Sequence, residues 1–283
     1  MPRPSVPVRS APAKPLRTTK PSRRAAKRRT RATDPALREA RIDLAAALRW
    51  ADRLGLSEGI CNHFSYAVPG RDDRWLVNPY GLHWSELRAS DVLVVDAEGK
   101  VVEGTRPIEP TAFYIHSRIH RGRPSARAVL HCHMPYASAL ATVEDGRLQP
   151  IIQSAMRFHG RIAYDDDPAL GPDAGFGGLV LDESEGDKIV RALADKRVLM
   201  MANHGVLVVG ETMACALDDL YFLERAAQAQ VIAMSTGRRL KPVGDNVAAA
   251  VADQIDRDLA SFANAHFEAI KRLLDRDAPG WRD

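Results

Sequence analysis

Three histidines, His131, His133 and His204, have the side-chain chemistry and the local context of metal ligands. The first two lie in AVLHCHMPYASALA and the third in VLMMANHGVLVVG. On a β-strand residues i and i+2 share a face, so His131 and His133 point together while Cys132 points away. Each segment opens with an apolar run suited to a buried strand and reaches histidine where that strand leaves the core. Neutral imidazole suits Zn, Fe, Mn or Ni, and three nitrogens leave coordination positions open for water or substrate. An HxH pair by itself is as often two ordinary histidines as a chelating pair; the strand-end context of both segments shifts the reading toward a metal.

The elements that must position these residues can be read from periodicity and turn chemistry. Asp34 as N-cap and Pro35 at the first helical position open a helix with a 3.6-residue pattern, closed at Gly55. The segments ICNHFSYAV, RWLVN and DVLVVD follow as short β-type runs separated by Gly, Pro and Asp turns, in the manner of an antiparallel sheet. Helix signals resume at Thr111 and lead to the HxH strand. PYASALATV and ESEGDKIVRALAD read as helices, and RVLMMANHGVLVVG as two strand segments around a sharp bend. Two alanine-rich amphipathic helices, spanning roughly residues 212 to 236 and 246 to 275 by their periodicity, finish the chain. Strands grouped in the middle with helices around them predict a layered α/β domain without regular β-α-β alternation. No GxGxxG loop follows a strand and no GxxxxGK[ST] occurs, which argues against dinucleotide and P-loop chemistry.

The bulk numbers bound the rest. At 283 residues and 45% hydrophobic, the chain can bury a large core. No apolar run approaches the ~18 residues of a membrane helix, so a soluble protein is expected. The cysteines Cys61, Cys132 and Cys215 are odd in number and widely spaced, which argues for a reducing compartment, the cytoplasm by default. The net charge of +4 conceals an asymmetry: residues 1–33 carry eleven Lys or Arg and no acid, leaving 29 bases against 36 acids in the remainder. Residues 1–33 are expected to form a disordered basic tail, and residues 34–283 the folded domain. A basic arm or an organelle transit peptide are the functional alternatives to a solvated tail. Without interleaved aromatics or a binding module, nucleic-acid binding is not expected.

The stretches GLSEGICNHFSYAV, NPYGLHWSELRASDVLVVD, GRPSARAVLHCH, MANHGVLVVG and ALDDLYFLERAAQAQVIA together resemble the class II aldolase and adducin family, over roughly residues 38 to 275. The resemblance implies a class II aldolase-like three-layer α/β/α domain with a central, mainly antiparallel sheet. It implies that His131, His133 and His204 are the metal histidines, with Zn the first candidate and Mn or Fe as alternatives. It also implies a homotetramer with its sites at subunit interfaces. Asn62, Tyr80 and Gly81 match the family's substrate loop, with Tyr80 replacing a small hydroxyl residue, while its paired serines correspond to Pro110 and Thr111.

A further departure concerns the chemistry. The sugar-phosphate aldolases carry an acidic ligand and proton shuttle near the start of the helix before the HxH strand, where this chain has Ala112, which can neither bind a metal nor carry a proton. Glu109 stands three residues upstream, beyond Pro110, as a possible substitute. Fewer hydroxyl donors and an aromatic wall favour an aromatic or carboxylate-bearing small molecule over a sugar phosphate. Arg157, whose guanidinium matches a carboxylate, is a candidate anion partner; a structural ion pair is its alternative. His116, Tyr114 and Tyr164 receive no catalytic role, His116 being expected as a core or interface histidine. The expected function is that of a metal-dependent lyase, an aldolase or decarboxylase of a hydroxy-carbonyl or hydroxy-acid substrate. Alternatives are a non-haem iron oxygenase and a non-catalytic adducin-like binding protein.

Overall fold

The chain is described by a computed structural model over residues 34–283, so the expectation for the basic tail lies outside the described residues. Helix α1 (Pro35–Arg53) starts on the proline whose missing N–H costs a helix nothing there. It ends before Gly55, which takes a positive φ of 69°. Four strands follow as a meander: β1 (His63–Ala67), β2 (Arg74–Val77), β3 (Leu93–Asp96) and β4 (Val101–Glu103). Helix α2 (Pro110–Gly122) leads into strand β5 (Ala128–Cys132), and the short helices α3 (Pro135–Leu140) and α4 (Gln153–Met156) come next. Strand β6 (Ile162–Tyr164), helix α5 (Glu183–Leu193), and strands β7 (Val198–Met201) and β8 (Gly205–Gly210) precede the two closing helices, α6 (Met213–Met234) and α7 (Asp245–Asp277). The strands β4 and β6 and the helix α4 were not expected from periodicity, being three or four residues long.

All eight strands join one sheet in the order β4-β3-β2-β1-β5-β8-β7-β6. Every pairing is antiparallel except β6 with β7. Alternate residues of the central strands serve two different cores, as the period of two requires. Leu130, Cys132, Val206 and Val208 pack in a cluster with residues of α1, α3, α6 and α7. Val129, Leu207 and Val209 pack against Ile115 and Ile119 of α2 and Ile189 of α5. The result is the expected three-layer α/β/α arrangement with a mainly antiparallel sheet. No helix among the described residues is long and apolar enough to cross a membrane.

Leu130 lies on the central strand with no exposed surface. The Leu130→Ala variant is expected to lose about 2–5 kcal/mol of stability through lost transfer energy and an unfilled cavity. Urea unfolding checks this, and a midpoint equal to the parent's would contradict it.

Candidate metal centre

Strand β5 ends one residue short of the HxH pair's second member. His131 is within β5 and His133 just beyond it. His131 has the parity of Val129, which packs on the face covered by α2 and α5, and the His133 ring comes to 5.1 Å from that of His131. The bend between β7 and β8 supplies the third ring. There Asn203 adopts a positive φ of 55°, a conformation asparagine tolerates better than most residues, and turns the chain so that His204 meets the other two. The three ring centroids lie 4.8 to 5.1 Å apart. One ligating atom from each falls within 4.8 Å of the other two, the only such group of three or more His, Cys, Asp or Glu found among the described residues.

Two of the rings are oriented from behind. His131 Nδ1 lies 2.9 Å from the carbonyl oxygen of Val206, to which it donates, leaving Nε2 for the site. His133 Nδ1 is hydrogen-bonded to the carboxylate of Glu58, and its Nε2 is buried with no hydrogen-bond partner. A buried ring nitrogen without a partner is costly unless something occupies its lone pair, and a cation shared with His131 and His204 fits that requirement. Burial, followed by repulsion from His63, His204 and His133, pushes the His131 imidazole well below its ordinary range. Burial and the neighbouring His133 bring His204 down to about 4. Both rings are therefore neutral near pH 7, the form that binds metals.

The glycine at the start of β8 is set by this packing. A Cβ on Gly205 would lie 2.7 Å from Cδ2 of His133 and 2.8 Å from the carbonyl oxygen of Cys132. Nothing larger than a hydrogen fits there without moving the His133 ring.

The substrate-side residues expected from sequence have different fates. Asn62 is buried and braces the Glu58 segment: its Oδ1 accepts from the Glu58 N–H at 2.7 Å and from the His133 N–H at 3.4 Å. Its Nδ2 has no partner. Tyr80 and Gly81 form an exposed turn after β2, with Tyr80 held through its backbone N–H to the Pro107 carbonyl at 2.9 Å and Gly81 at a φ of 80°. Arg157 is enclosed, its two forks occupied by Asp219 at 2.7 Å and Asp218 at 2.6 Å. Its guanidinium also stacks 4.8 Å from the ring of Phe222. This is the structural ion pair, and it lies on a groove with Tyr221 and Phe262, apart from the histidine cluster. At the cluster, a cavity of about 140 Å³ is lined by His204, Phe176, Gly175, Lys188 and Arg191. Phe176 stands edge-on to His204 with centroids 5.6 Å apart.

Several residues that sequence reasoning passed over adjoin the triad. His63 is the register partner of His131 across β1 and β5, and their rings are 4.9 Å apart. Behind it runs a buried polar chain: His63 Nδ1 to His116 Nε2 at 2.8 Å, His116 Nδ1 to Ser65 Oγ at 2.5 Å, and Ser65 Oγ to His120 Nε2 at 2.7 Å. His116 is thus the buried core histidine expected. Ala112 is buried and its backbone N–H donates to Glu109 at 2.8 Å, so Glu109 is the N-cap of α2. That carboxylate also accepts from Thr111 and lies 3.9 Å from His63 Nε2. The available signal was spacing: His63 and Ser65 at i and i+2 on a strand, His116 and His120 at i and i+4 on a helix.

Comparison with known proteins adds a second line. The family profile for the Class II Aldolase and Adducin N-terminal domain matches residues 42–231. The protein named Decarboxylase NovR of Streptomyces niveus is 32% identical, covering 82% of this chain and 83% of its own length. A 4-hydroxy-3-prenylphenylpyruvate oxygenase/4-hydroxy-3-prenylbenzoate synthase of Streptomyces roseochromogenus is 30% identical, covering 82% of both chains. Among solved structures, an aldolase II superfamily protein from Pseudomonas syringae superposes with a TM-score of 0.80 at 34% identity, covering 91% of this chain and all of that one.

Two outcomes follow from the geometry. Gly205→Ala is expected to displace His133 and lower metal affinity by about 10- to 100-fold, the range for disturbed ligand support, while circular dichroism stays that of a folded protein; unchanged metal retention on dialysis against a chelator would refute it. The second concerns acid. Burial holds His63 and His120 at about 3 and His116 and His131 well below their ordinary range. The unfolded chain thus binds more protons than the native one below about pH 6.5. Stability is fully present above that pH and falls as pH drops toward the native values, by about 1.4 kcal/mol per pH unit for each histidine that charges on unfolding. A urea midpoint that does not fall between pH 7.5 and 5.5 would contradict this.

Proposed function

Because this chain belongs to the Class II Aldolase and Adducin family, we propose that it is a divalent-metal-dependent lyase, cleaving a C–C bond in a hydroxy-carbonyl or hydroxy-acid substrate. The observation that carries the proposal is the convergence of His131, His133 and His204, with the buried Nε2 of His133 lacking any partner within the protein. Three imidazole ligands suit zinc first, with manganese or iron as alternatives. The bound ion would act as a Lewis acid toward adjacent substrate oxygens.

The protein's own groups do the rest. Val206 and Glu58 hold the His131 and His133 rings in the orientation that turns Nε2 inward. Asn62 keeps Glu58 in place by accepting its backbone N–H, and Tyr80 and Gly81 are proposed to contact substrate from the exposed turn. Ala112 has no proton to exchange, and this favours decarboxylation over a retro-aldol step, since loss of CO2 needs no prior removal of a hydroxyl proton. The replacement of small hydroxyl residues by Tyr80 and Pro110 supports a substrate other than a sugar phosphate. A relative of 32% identity named a decarboxylase agrees with that choice. Arg157 is left out of the substrate site because Asp218 and Asp219 already neutralise it.

A homotetramer is part of the same proposal. Exposed apolar side chains on α6 and α7, among them Ile232, Val247 and Phe262, are suited to burial by neighbouring copies. A cytoplasmic location is proposed from the free cysteines.

A second reading, a non-haem iron oxygenase, draws support from the relative of 30% identity whose name includes oxygenase. Elemental analysis tests the common premise: about one metal per chain in the parent and little in a His131→Ala, His133→Ala double variant. Absence of metal in the parent after growth in metal-supplemented medium would discard both enzymatic readings in favour of a non-catalytic, adducin-like binding protein. With metal present, turnover that persists without dioxygen selects the lyase, and turnover that consumes dioxygen selects the oxygenase.

A further inference from the structure

The buried chain of His120, Ser65, His116 and His63 admits a single neutral hydrogen-bonding pattern, and that pattern is set at the end far from the triad. The Ala126 carbonyl can only accept, so the proton of His120 must sit on Nδ1, 2.9 Å away. The Nε2 of that neutral ring is then bare, and the Ser65 hydroxyl, at 2.7 Å, donates to it. A hydroxyl has one proton, so toward His116 Nδ1 at 2.5 Å the same oxygen accepts. His116 therefore carries its proton on Nδ1, and its bare Nε2 accepts from His63 Nδ1 at 2.8 Å. With its proton committed to Nδ1, His63 has a bare Nε2.

The reverse pattern would aim the lone pair of a neutral His120 at the Ala126 oxygen. A charged His120 would relieve that clash, but its burial, and after it the nearby Arg127, disfavour the charge. Packing holds the anchor in place, since the His120 ring stacks on Trp75 at 5.6 Å with only 13° between the planes.

At the other end, the bare nitrogen of His63 faces more acceptors than donors. Thr111 Oγ1 is 3.4 Å away, at the limit of hydrogen bonding, and its proton is engaged by the Glu109 carboxylate. Glu109 Oε2 is itself 3.9 Å from His63 Nε2, and Glu109 is the more accessible of the two, with 23% of its side chain exposed. The His63 ring borders His131, so the pair stands at the edge of the triad.

We infer that His63 Nε2 and the Glu109 carboxylate form an acceptor pair that receives a hydroxyl group of the substrate, with Ser65, His116 and His120 as positioning residues that lock the His63 tautomer. The inference rests on the proposed site at His131, His133 and His204 and narrows its ligand to one that brings a hydrogen-bond donor to this edge. A phosphate dianion has no proton to give and would meet two acceptors, one of them a carboxylate.

Nitrogen NMR of protein labelled with ¹⁵N-histidine reads each tautomer directly, with and without added zinc. The expected result for His63, His116 and His120 is a protonated Nδ1 and a bare Nε2. His120→Phe keeps an aromatic ring against Trp75 but removes the anchor, and Ser65→Ala removes the link; either should let His63 exchange between tautomers. Lactate should shift His63 Nε2 in the parent, whereas propionate, with the same carboxylate and no hydroxyl, should not. A proton on His63 Nε2 in the parent, a His63 tautomer unmoved in both variants, or the same response to both acids would overturn the inference. The metal reading is scored separately, on the nitrogens of His131, His133 and His204: if zinc leaves them unshifted that reading fails, while the tautomers are still read without zinc.

Discussion

The register of β5 between β1 and β8 is the constraint on which the rest of the site depends. His63 lies opposite His131 on one side, and Leu207 lies opposite it on the other. Residues directly opposite in an antiparallel pair share a face, so this pairing puts the HxH pair and the HxS pair of β1 on the layer covered by α2 and α5. A slip of one residue between β1 and β5 would turn His63 and Ser65 into the apolar layer that holds Phe64. Burial on both faces makes such a slip prohibitive, because two polar side chains would lose their partners and Phe64 its packing. The register is thus enforced by the hydrophobic cores on either side, and the polar site inherits their precision.

That inheritance carries an obligation. Each buried polar atom left without a partner costs about 1–3 kcal/mol, and this layer holds His63, Ser65, His116, His120 and His131 nearly out of contact with water. The chain from His63 through His116, Ser65 and His120 ends on the Ala126 carbonyl, and His131 donates separately to the Val206 carbonyl, so a backbone acceptor anchors each. Backbone acceptors do not titrate and barely move, which makes them better anchors than side chains. The same burial that disfavours a proton on His131 and His204 leaves each with a free lone pair, and in the chain it lets His63, His116 and His120 hold one tautomer. His133 differs in being oriented by a carboxylate, Glu58, from an exposed segment. The ring at the rim of the site is therefore the one whose support is open to solvent.

What was legible in the sequence was local. His131 and His133 announced themselves through the two-residue period behind an apolar run, and His204 through the bend that MANHG requires. The sheet, its flanking helices and the boundaries of α6 and α7 followed from periodicity and capping to within a few residues. What was not legible depends on pairs distant in the chain. His63 and His116 are 53 residues apart, and Arg157 and its acidic partners 61 and 62. No pattern along one strand reveals which strand lies beside it, so an arginine committed to Asp218 and Asp219 reads the same as one awaiting a substrate. Strands β4 and β6 escaped for another reason: three residues are too few for any period to emerge.

The case of Ala112 and Glu109 shows how a position in space can part from a position in the sequence. A proline restricts the residue before it to extended conformations, and Glu109 sits at φ −72° and ψ 131° ahead of Pro110. From there its side chain turns back over the first turn of α2 and accepts the N–H of Ala112. A carboxylate therefore stands above Ala112 even though the side chain at that position is a methyl group. It arrives from outside the helix, tied by the backbone N–H and by Thr111, where a side chain on the helix itself would swing on its own rotatable bonds. A carboxylate so held serves as a fixed acceptor and is poorly suited to travel between a metal and a substrate. That difference in mobility, more than the loss of an acid at one position, is the physical reason to look for chemistry in which the substrate's hydroxyl is held in place while another bond breaks.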